Sequence, residues 1–478
     1  MDGNRHNDLI SLLEPETSGA REAERRRKRK GDARGFLCNL SFKPNFMRKI
    51  FVRSSRMRST SRKAFFVVCV ASFAALAALP LRADEGEVPS AEATRLRRYE
   101  LAGFPILGGN SDIGVQFGGA ATLTRFYDRA FPYLWNADLL LSASLKDVNG
   151  IRLVQQSHVL RLDAPDLLDG RLRVDTRANF QHTINSGYYG IGNLAPVDPA
   201  KVGNKHYWYT NDESRLRVLA RIHTGHLIDV ALGTIFRYEA PELYYPSRLA
   251  DDLAGPHGSA TTALGATSMF LAGIGAGIMM DTRDSEFVTR RGIFYQIGAG
   301  ATVGSADAVG YGNASAVLSN YAPIGPLFVF ASRFVASFQF GRVPFYDLAQ
   351  AGTFEPQYLL GSESGVRGVP EGRYRGPVMM ATNLEIRGTP FPRFRLFGER
   401  FRIGTTTFFD AGRTWSDYSV ISPADGTLIG LRFGVGGGAF LQWGEAAIFR
   451  VEVAYSPDAV SENPNLPIGI YVADGMMF

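Results

Sequence analysis

Few side chains in this 478-residue chain are spaced for chemistry. Gly434-Val-Gly-Gly-Gly-Ala439 matches a dinucleotide-binding fingerprint by its letters. That fingerprint works only where a strand gives way to a helix whose N-terminus meets the phosphates. Here the glycines run into Phe440, Leu441, Gln442 and Trp443 within an alternating stretch, so they read as strand positions, as do those of 273–277 and 298–304. His158, His182, His223 and His226 form no His-Glu-x-x-His pair, and no nucleophile elbow is present. They suit a polar lumen or the ends of strands. A lipase-type barrel, with a Ser and a His aimed at lipid, is the enzyme reading that the residue types leave open. The residues point instead to a protein that is not an enzyme and holds no cofactor and no metal.

The densest charge lies in Gly361-Ser-Glu-Ser-Gly-Val-Arg-Gly-Val-Pro-Glu-Gly-Arg-Tyr-Arg-Gly376. It is too rich in glycine and charge for a lipid-facing strand, yet it separates two confident ones. The elements around it repeat with period two rather than 3.6. In 135–146, Trp135, Leu139, Leu141 and Leu145 alternate with Asn136, Asp138, Ser142, Ser144 and Lys146. In 171–181, Leu172, Val174, Ala178 and Phe180 alternate with Arg171, Arg173, Asp175, Arg177, Asn179 and Gln181. Segments 113–125 and 215–224 behave alike.

Such segments run longer than the five or six residues of ordinary soluble strands and match the 9–11 residues that a tilted strand needs to cross a bilayer. One face is Leu, Val, Phe and Ala; the other repeats Arg and Asp. Lipid outside and a polar lumen inside account for both. An open sheet is excluded in lipid because its edge N–H and C=O groups would lack partners. The expectation is an all-β, sixteen-stranded antiparallel transmembrane β-barrel over 99–478.

Its strands are placed near 99–108, 112–126, 134–146, 151–163, 171–183, 214–224, 227–238, 268–281, 290–304, 312–322, 327–340, 377–389, 401–413, 427–441, 446–456 and 467–478. An even count puts both barrel ends on the periplasmic side. Segments 184–213, 239–267 and 341–376 then lie outside the cell, and the 281–292 connection faces the periplasm. Phe478, ending the last strand, suits an interfacial aromatic.

Ahead of the barrel, Ala64 to Leu79 is a sixteen-residue run without charge, preceded by Arg53, Arg56, Arg58, Arg62 and Lys63. Leu81-Arg82-Ala83 and acidic Asp84-Glu85 follow it. This is the pattern of a secretory signal, and a helix of that length rises only about 24 Å, short of a permanent anchor. Residues 1–83 therefore read as a leader. Met47 and Met57, just upstream of the run, point to 1–46 as an over-extended start, and the residues left before the first strand, 84–98, read as a short periplasmic segment. A retained anchor and an organelle transit peptide are the weaker alternatives.

The chain's 52 Lys/Arg and 46 Asp/Glu include 18 and 7 in that leader, leaving 34 and 39 in 84–478. The basic balance belongs to the leader, so nothing implies nucleic acid. Cys38 and Cys69 also fall there, leaving the exported part without a thiol.

Five motifs stand in order: Tyr188-Tyr-Gly-Ile-Gly-Asn193, Asp281-Thr-Arg-Asp284 followed by Gly292, the Val366-Arg367-Gly368 loop, Asn383-Leu-Glu-Ile-Arg387, and Phe408-Phe-Asp-Ala-Gly412. Together they resemble the bacterial surface antigen family of BamA/TamA-type outer-membrane assembly barrels, over roughly 112–478. Val369 stands where that family usually has an aromatic, and Met476 holds the third-last place of a terminal recognition pattern that Phe478 completes.

The resemblance implies that the Val366-Arg367-Gly368 loop folds into the lumen and that Arg367 meets Glu385 and Asp410. It gives Asp281, Arg283 and Asp284 as a turn motif. It also implies the cell outer membrane as location and a role in inserting or translocating protein there. The partners would be outer-membrane lipid, client outer-membrane proteins and a separate periplasmic module. A passive or selective pore is the rival reading. The short first strand, with Gly103, Pro105, Gly108 and Gly109, suggests a weak seam, since such residues weaken ladder pairing.

Overall fold

The structure, a computed structural model, describes residues 99–478 apart from 128–132, 148–149, 203–204, 226, 256–262, 397–398, 420–421, 427–428, 445–446 and 462–465. The leader, the 84–98 segment and His226 lie outside the described residues.

Sixteen long strands form one antiparallel sheet closed on itself. They are β1 (Tyr99–Asn110), β2 (Gly114–Arg125), β3 (Trp135–Asp147), β4 (Ile151–Leu167), β5 (Leu172–Gly187), β6 (Trp208–His223), β7 (Ile228–Leu243) and β8 (Met269–Asp281). The second half comprises β9 (Gly292–Gly304), β10 (Gly310–Ile324), β11 (Phe328–Arg342), β12 (Val378–Gly388), β13 (Glu399–Trp415), β14 (Arg432–Trp443), β15 (Ala447–Tyr455) and β16 (Ile468–Asp474). Each pairs with its chain neighbours, and β1 meets β16. A three-residue strand, Phe394–Leu396, extends the β12 side against the start of β13.

Burial is inverted relative to a soluble domain. Leu139, Leu141, Ile274, Ile297, Phe334, Phe338 and Phe409 are exposed, whereas Asp163, Arg217, Glu239, Arg333, Glu385 and Asp410 are buried. The apolar face is the outside of the barrel, which suits lipid. Connections at one rim are short, and those at the other include 188–207, 244–268 and 343–377. Short turns mark the periplasmic rim and long loops the outer one.

The strands β5, β6 and β7 continue four to six residues past the expected outer ends, through Gly187, Trp208 and Leu243. The apolar–polar alternation that locates a strand in sequence lasts only as deep as the bilayer, and these ends rise above it. There the outer loops pack together, with Tyr188, Tyr209, Leu249, Phe345 and Tyr346 in one buried cluster. A short helix, α1 (Arg248–Ala254), is capped by Ser247, whose hydroxyl accepts from the Ala250 N–H at 3.2 Å.

Two expectations change. His158 lies in mid-strand on the lipid side, stacked on Phe180 at 5.9 Å and opposite Leu141 in register. Its side is set by a register shift beside Val154, where Ser144 faces Gln155 while Leu145 faces Leu153. A bulge of one residue reverses the alternation beyond it. Phe478 is the second. β16 stops at Asp474, Gly475 (φ +72°) redirects the chain, and Phe478 packs inside on Tyr321, Val329 and Ala331 rather than at the lipid interface.

Candidate functional site: a lumen loop held by an arginine

The 343–377 connection does not stay on the rim. It descends into the lumen, and Val366, Arg367, Val369, Tyr374 and Arg375 are all fully buried. Polar wall residues give a loop many acceptors and donors there, so backbone groups without a ladder find partners.

The first anchor is steric. The lumen faces of β7, β8 and β9 present Gly233, Gly275 and Gly298, forming a groove that takes Thr353 and Phe354. A Cβ on Gly298 would lie 2.7 Å from Phe354 Cε2, and one on Gly275 would lie 2.8 Å from Thr353 Cγ2. The glycine-rich stretches of the sequence are therefore a seat for an aromatic ring. Glu355, next along the loop, reaches Arg177 at 3.1 Å and Arg217 at 3.4 Å on the neighbouring strands β5 and β6.

The second anchor is ionic. Arg367 donates from Nε to Asp410 Oδ2 at 2.7 Å and from Nη2 to Asp410 Oδ1 at 3.0 Å, a bidentate fork. Its Nη1 lies 2.7 Å from Glu385 Oε1 and 3.1 Å from Glu452 Oε2. Its guanidinium stacks on Phe408, 3.4 Å from the ring centre. Burial disfavours the charged guanidinium, but the charges of Glu385 and Asp410 outweigh it and raise its pKa above the ordinary value.

The carboxylates are themselves matched. Glu385 accepts from Arg387 at 2.7 Å, and Glu452 from Arg450 at 3.1 Å. Three guanidiniums thus face three carboxylates, which is what allows so many charges to sit away from water.

Backbone geometry completes the fit. Gly368 has φ +91°, and its N–H donates to Tyr471 Oη at 2.7 Å. Gly434 lies directly behind the motif: a Cβ on it would overlap the Arg367 carbonyl oxygen. Asn383 Nδ2 donates to the Gly365 carbonyl at 2.9 Å, and Arg333 bonds the Ser364 carbonyl.

Three of the other four sequence motifs converge on this loop. Tyr188–Asn193 holds its far end: Gly192 N donates to the Arg375 carbonyl at 2.8 Å, and Arg373 lies over Tyr189. Tyr188 donates to Asp252 at 2.9 Å, and burial with that carboxylate raises its phenol pKa. The Asp281–Asp284 turn stands apart on the periplasmic rim. Arg283 forks onto Asp281 at 2.9 and 2.7 Å, and Asp284 Oδ1 accepts the backbone N–H of Arg290 and Arg291.

Arg450, Glu452 and Tyr471 are among the members that sequence reasoning missed. Arg450-Val-Glu452 alternates on the lumen face of β15, a charged pair in a strand otherwise read only for its length.

The Omp85 superfamily domain model matches residues 155–463, well over half of the chain. The chain belongs to the Omp85 superfamily. Membership places it in the bacterial outer membrane, where the exposed Leu/Val/Phe face meets lipid.

Among solved structures, this Omp85 barrel is similar to BamA of Haemophilus ducreyi lacking POTRA domains 1–3, at TM-score 0.48 and 15% identity over 79% of this chain and 70% of that one. It is also similar to CdiB of Escherichia coli, at 0.49 and 14% over 78% and 62%, and to CdiB of Acinetobacter baumannii, at 0.45 and 11% over 82% and 69%. No curated protein sequence matches it significantly.

Among the described residues, the histidines of this Omp85 barrel form no shared site. His182 pairs with Asp212 toward the outer ends of β5 and β6, and His223 with Asp229 at 2.6 Å at the periplasmic ends of β6 and β7.

Proposed function

We propose that this protein assists the insertion or translocation of polypeptides at the outer membrane by opening sideways between β1 and β16. One observation carries the reading. β1 pairs with β2 along its whole length, from Tyr99 to Asn110, but with β16 through only Gly109↔Val472 and Asn110↔Tyr471. One further backbone bond, from Ser111 N to the Ile470 carbonyl at 3.2 Å, flanks them. The periplasmic part of β1, Tyr99–Gly108, has no register partner on its β16 side among the described residues.

Unpaired edge groups are costly in lipid and are a template for another strand. Pro105 lacks an N–H, and Gly103 and Gly108 add little side-chain packing, so this edge is poorly suited to a permanent ladder. A client strand arriving from the periplasm would meet the open side first. The reading needs no catalytic side chain, and a separate periplasmic module could deliver the client.

A Cβ on Gly108 would lie 3.7 Å from Val472 Cγ1, so Gly108→Cys with Val472→Cys gives a disulfide across the seam. In proteoliposomes supplied with an unfolded outer-membrane barrel, the oxidised form should stop inserting the client and reductant should restore it. Undiminished insertion by the locked form would sink the proposal.

A passive or selective pore is the second reading. It is supported by a polar cavity of about 420 Å³ between the loop and the β2–β6 wall, lined by Gln116, Gln155, Asn179, Gln181 and Asn211 and touching the seam at Gly109, Asn110 and Val472. A large, steady conductance in planar bilayers would favour the pore, and a closed or flickering trace the assembly barrel.

A further inference from the structure

Several arginines at the periplasmic rim are ion-paired, and, among the described residues, a group of four on one connection is not. Arg173 meets Asp163 at 2.7 Å and Glu286 at 2.8 Å, Arg221 meets Asp229 at 2.9 Å, and Arg283 meets Asp281 at 2.7 Å. The β12–β13 connection differs. From Thr389 to Arg402 the sequence has Arg393, Arg395, Arg400 and Arg402 against a single carboxylate, Glu399.

Register sets their geometry. Phe394 faces Phe401, Arg395 faces Arg400 and Leu396 faces Glu399. Opposed residues share a face and successive ones alternate. Arg395 and Arg400 make a facing pair on one side, Arg402 follows on the same side of β13 by alternation, and Arg393 is near enough for its charge to act on Arg402. Like charges directly opposite one another destabilise a sheet, and Arg402 also feels Arg393 and Arg290. None of the four has an ion-pair partner among the described residues.

The other face of the same strands tells where this one points. It carries Phe394, Phe401 and Trp443, stacked in a row at 5.7 and 5.6 Å. Along β13 the same alternation leaves Ile403 and Phe409 exposed and buries Phe408 and Asp410 in the lumen. The aromatic row is thus the interfacial belt. The arginines face the periplasmic mouth rather than the bilayer, which favours carboxylates arriving through water over lipid phosphates in the membrane plane.

We propose that this arginine quartet is the docking surface for a carboxylate-rich segment of a separate periplasmic protein. Its purpose rests on the assembly reading, but its binding does not. Guanidinium forks take carboxylates bidentately, and attraction between exposed charges is screened by salt.

The test uses the purified full chain in nanodiscs of phosphatidylcholine and a fluorescein-labelled octaglutamate peptide as probe. Anisotropy should report binding that weakens with added salt and falls at least about tenfold when Arg393, Arg395, Arg400 and Arg402 are all changed to Gln. Arg342→Gln, on the outer rim, should bind as the parent does. Heat-modifiable gel mobility checks that each variant is folded.

Trp443 supplies the second arm, through quenching by brominated lipids. Undiminished peptide binding by the quadruple variant overturns the proposal. So does a quartet-dependent preference of quenching for brominated phosphatidylglycerol over brominated phosphatidylcholine, which would assign the arginines to lipid headgroups. Because no client is present, failure here leaves the seam reading standing, and a working locked seam would leave this surface standing.

Discussion

The backbone N–H of Gly368 donates to the phenol oxygen of Tyr471 at 2.7 Å, and Tyr471 is one of the two β16 residues that pair with β1. The lumen loop and the seam therefore share a residue. A second connection runs through the C-terminus: Arg387, which holds Glu385 against Arg367, also donates to the Phe478 carbonyl at 2.8 Å. Shifting β16 would disturb both links to the loop, and withdrawing the loop would remove the Gly368 contact from β16.

Tyr471→Phe isolates the first link. It keeps the ring but leaves a buried N–H without an acceptor, a loss of about 1–3 kcal/mol. The barrel should melt at lower temperature in the heat-modifiable gel assay. The seam should also loosen, so the Gly108→Cys/Val472→Cys pair should form its disulfide more slowly in this background. An unchanged melting point would show that the bond contributes nothing.

Arg367→Ala removes the cation from a group of three carboxylates and two remaining guanidiniums. Breaking a buried ion pair on one side costs roughly 3–5 kcal/mol. The expected result is a lowered melting point together with larger or more frequent conductance openings, as the loop loses its main anchor. Arg367→Lys should recover little, because an ammonium cannot fork onto Asp410 while also reaching Glu385. A melting point equal to that of the parent would refute the anchor.

How far the sequence reached follows from which forces leave a pattern in it. Lipid on one face and a polar lumen on the other impose strict alternation, so segments such as 135–146 and 171–181 declare themselves as strands. Where the bilayer ends, so does the signal, and 208–213 carries none of the alternation that marks a strand. A single inserted residue at Val154 reversed which side His158 faces, a change no periodicity reveals without the partner strand. The pairing of Arg367 with Glu385 and Asp410 came from a resemblance. Glu452 and Tyr471 join through tertiary approach across 85 and 103 residues, which leaves no local trace. The glycines of 233, 275 and 298 were legible as strand positions but not as the seat of Phe354.

That seat gives a third prediction. Gly298→Ala places a methyl group 2.7 Å from Phe354 Cε2, and overpacking of this kind costs about 1–3 kcal/mol. Phe354 should leave the groove, and conductance should rise. Adding Phe354→Leu should relieve the clash, so that the double variant is more stable than the sum of the two changes, a coupling that a double-mutant cycle on melting points measures. Strict additivity would mean that ring and groove do not touch.

Phe478 provides the last. Its ring lies 4.7 Å from the Arg387 guanidinium and 5.3 Å from that of Arg333, against Tyr321 at 6.2 Å. The tail from Gly475 to Phe478 therefore links β16 to the β10–β12 wall across the lumen. Phe478→Ala removes the ring but keeps the carbonyl that Arg387 bonds. It should cost stability through lost burial and lost cation–π attraction, the latter worth about 0.5–2 kcal/mol for each arginine. The tail should then swing away, and a thiol placed at Tyr321→Cys should become reactive to a membrane-impermeant maleimide added from the periplasmic side. Equal labelling of Tyr321→Cys with and without Phe478→Ala would mean that the terminal ring does not cover this wall. Labelling that rises only when the seam disulfide is reduced would tie the tail to β16 movement, because the tail leaves the wall only as far as β16 allows.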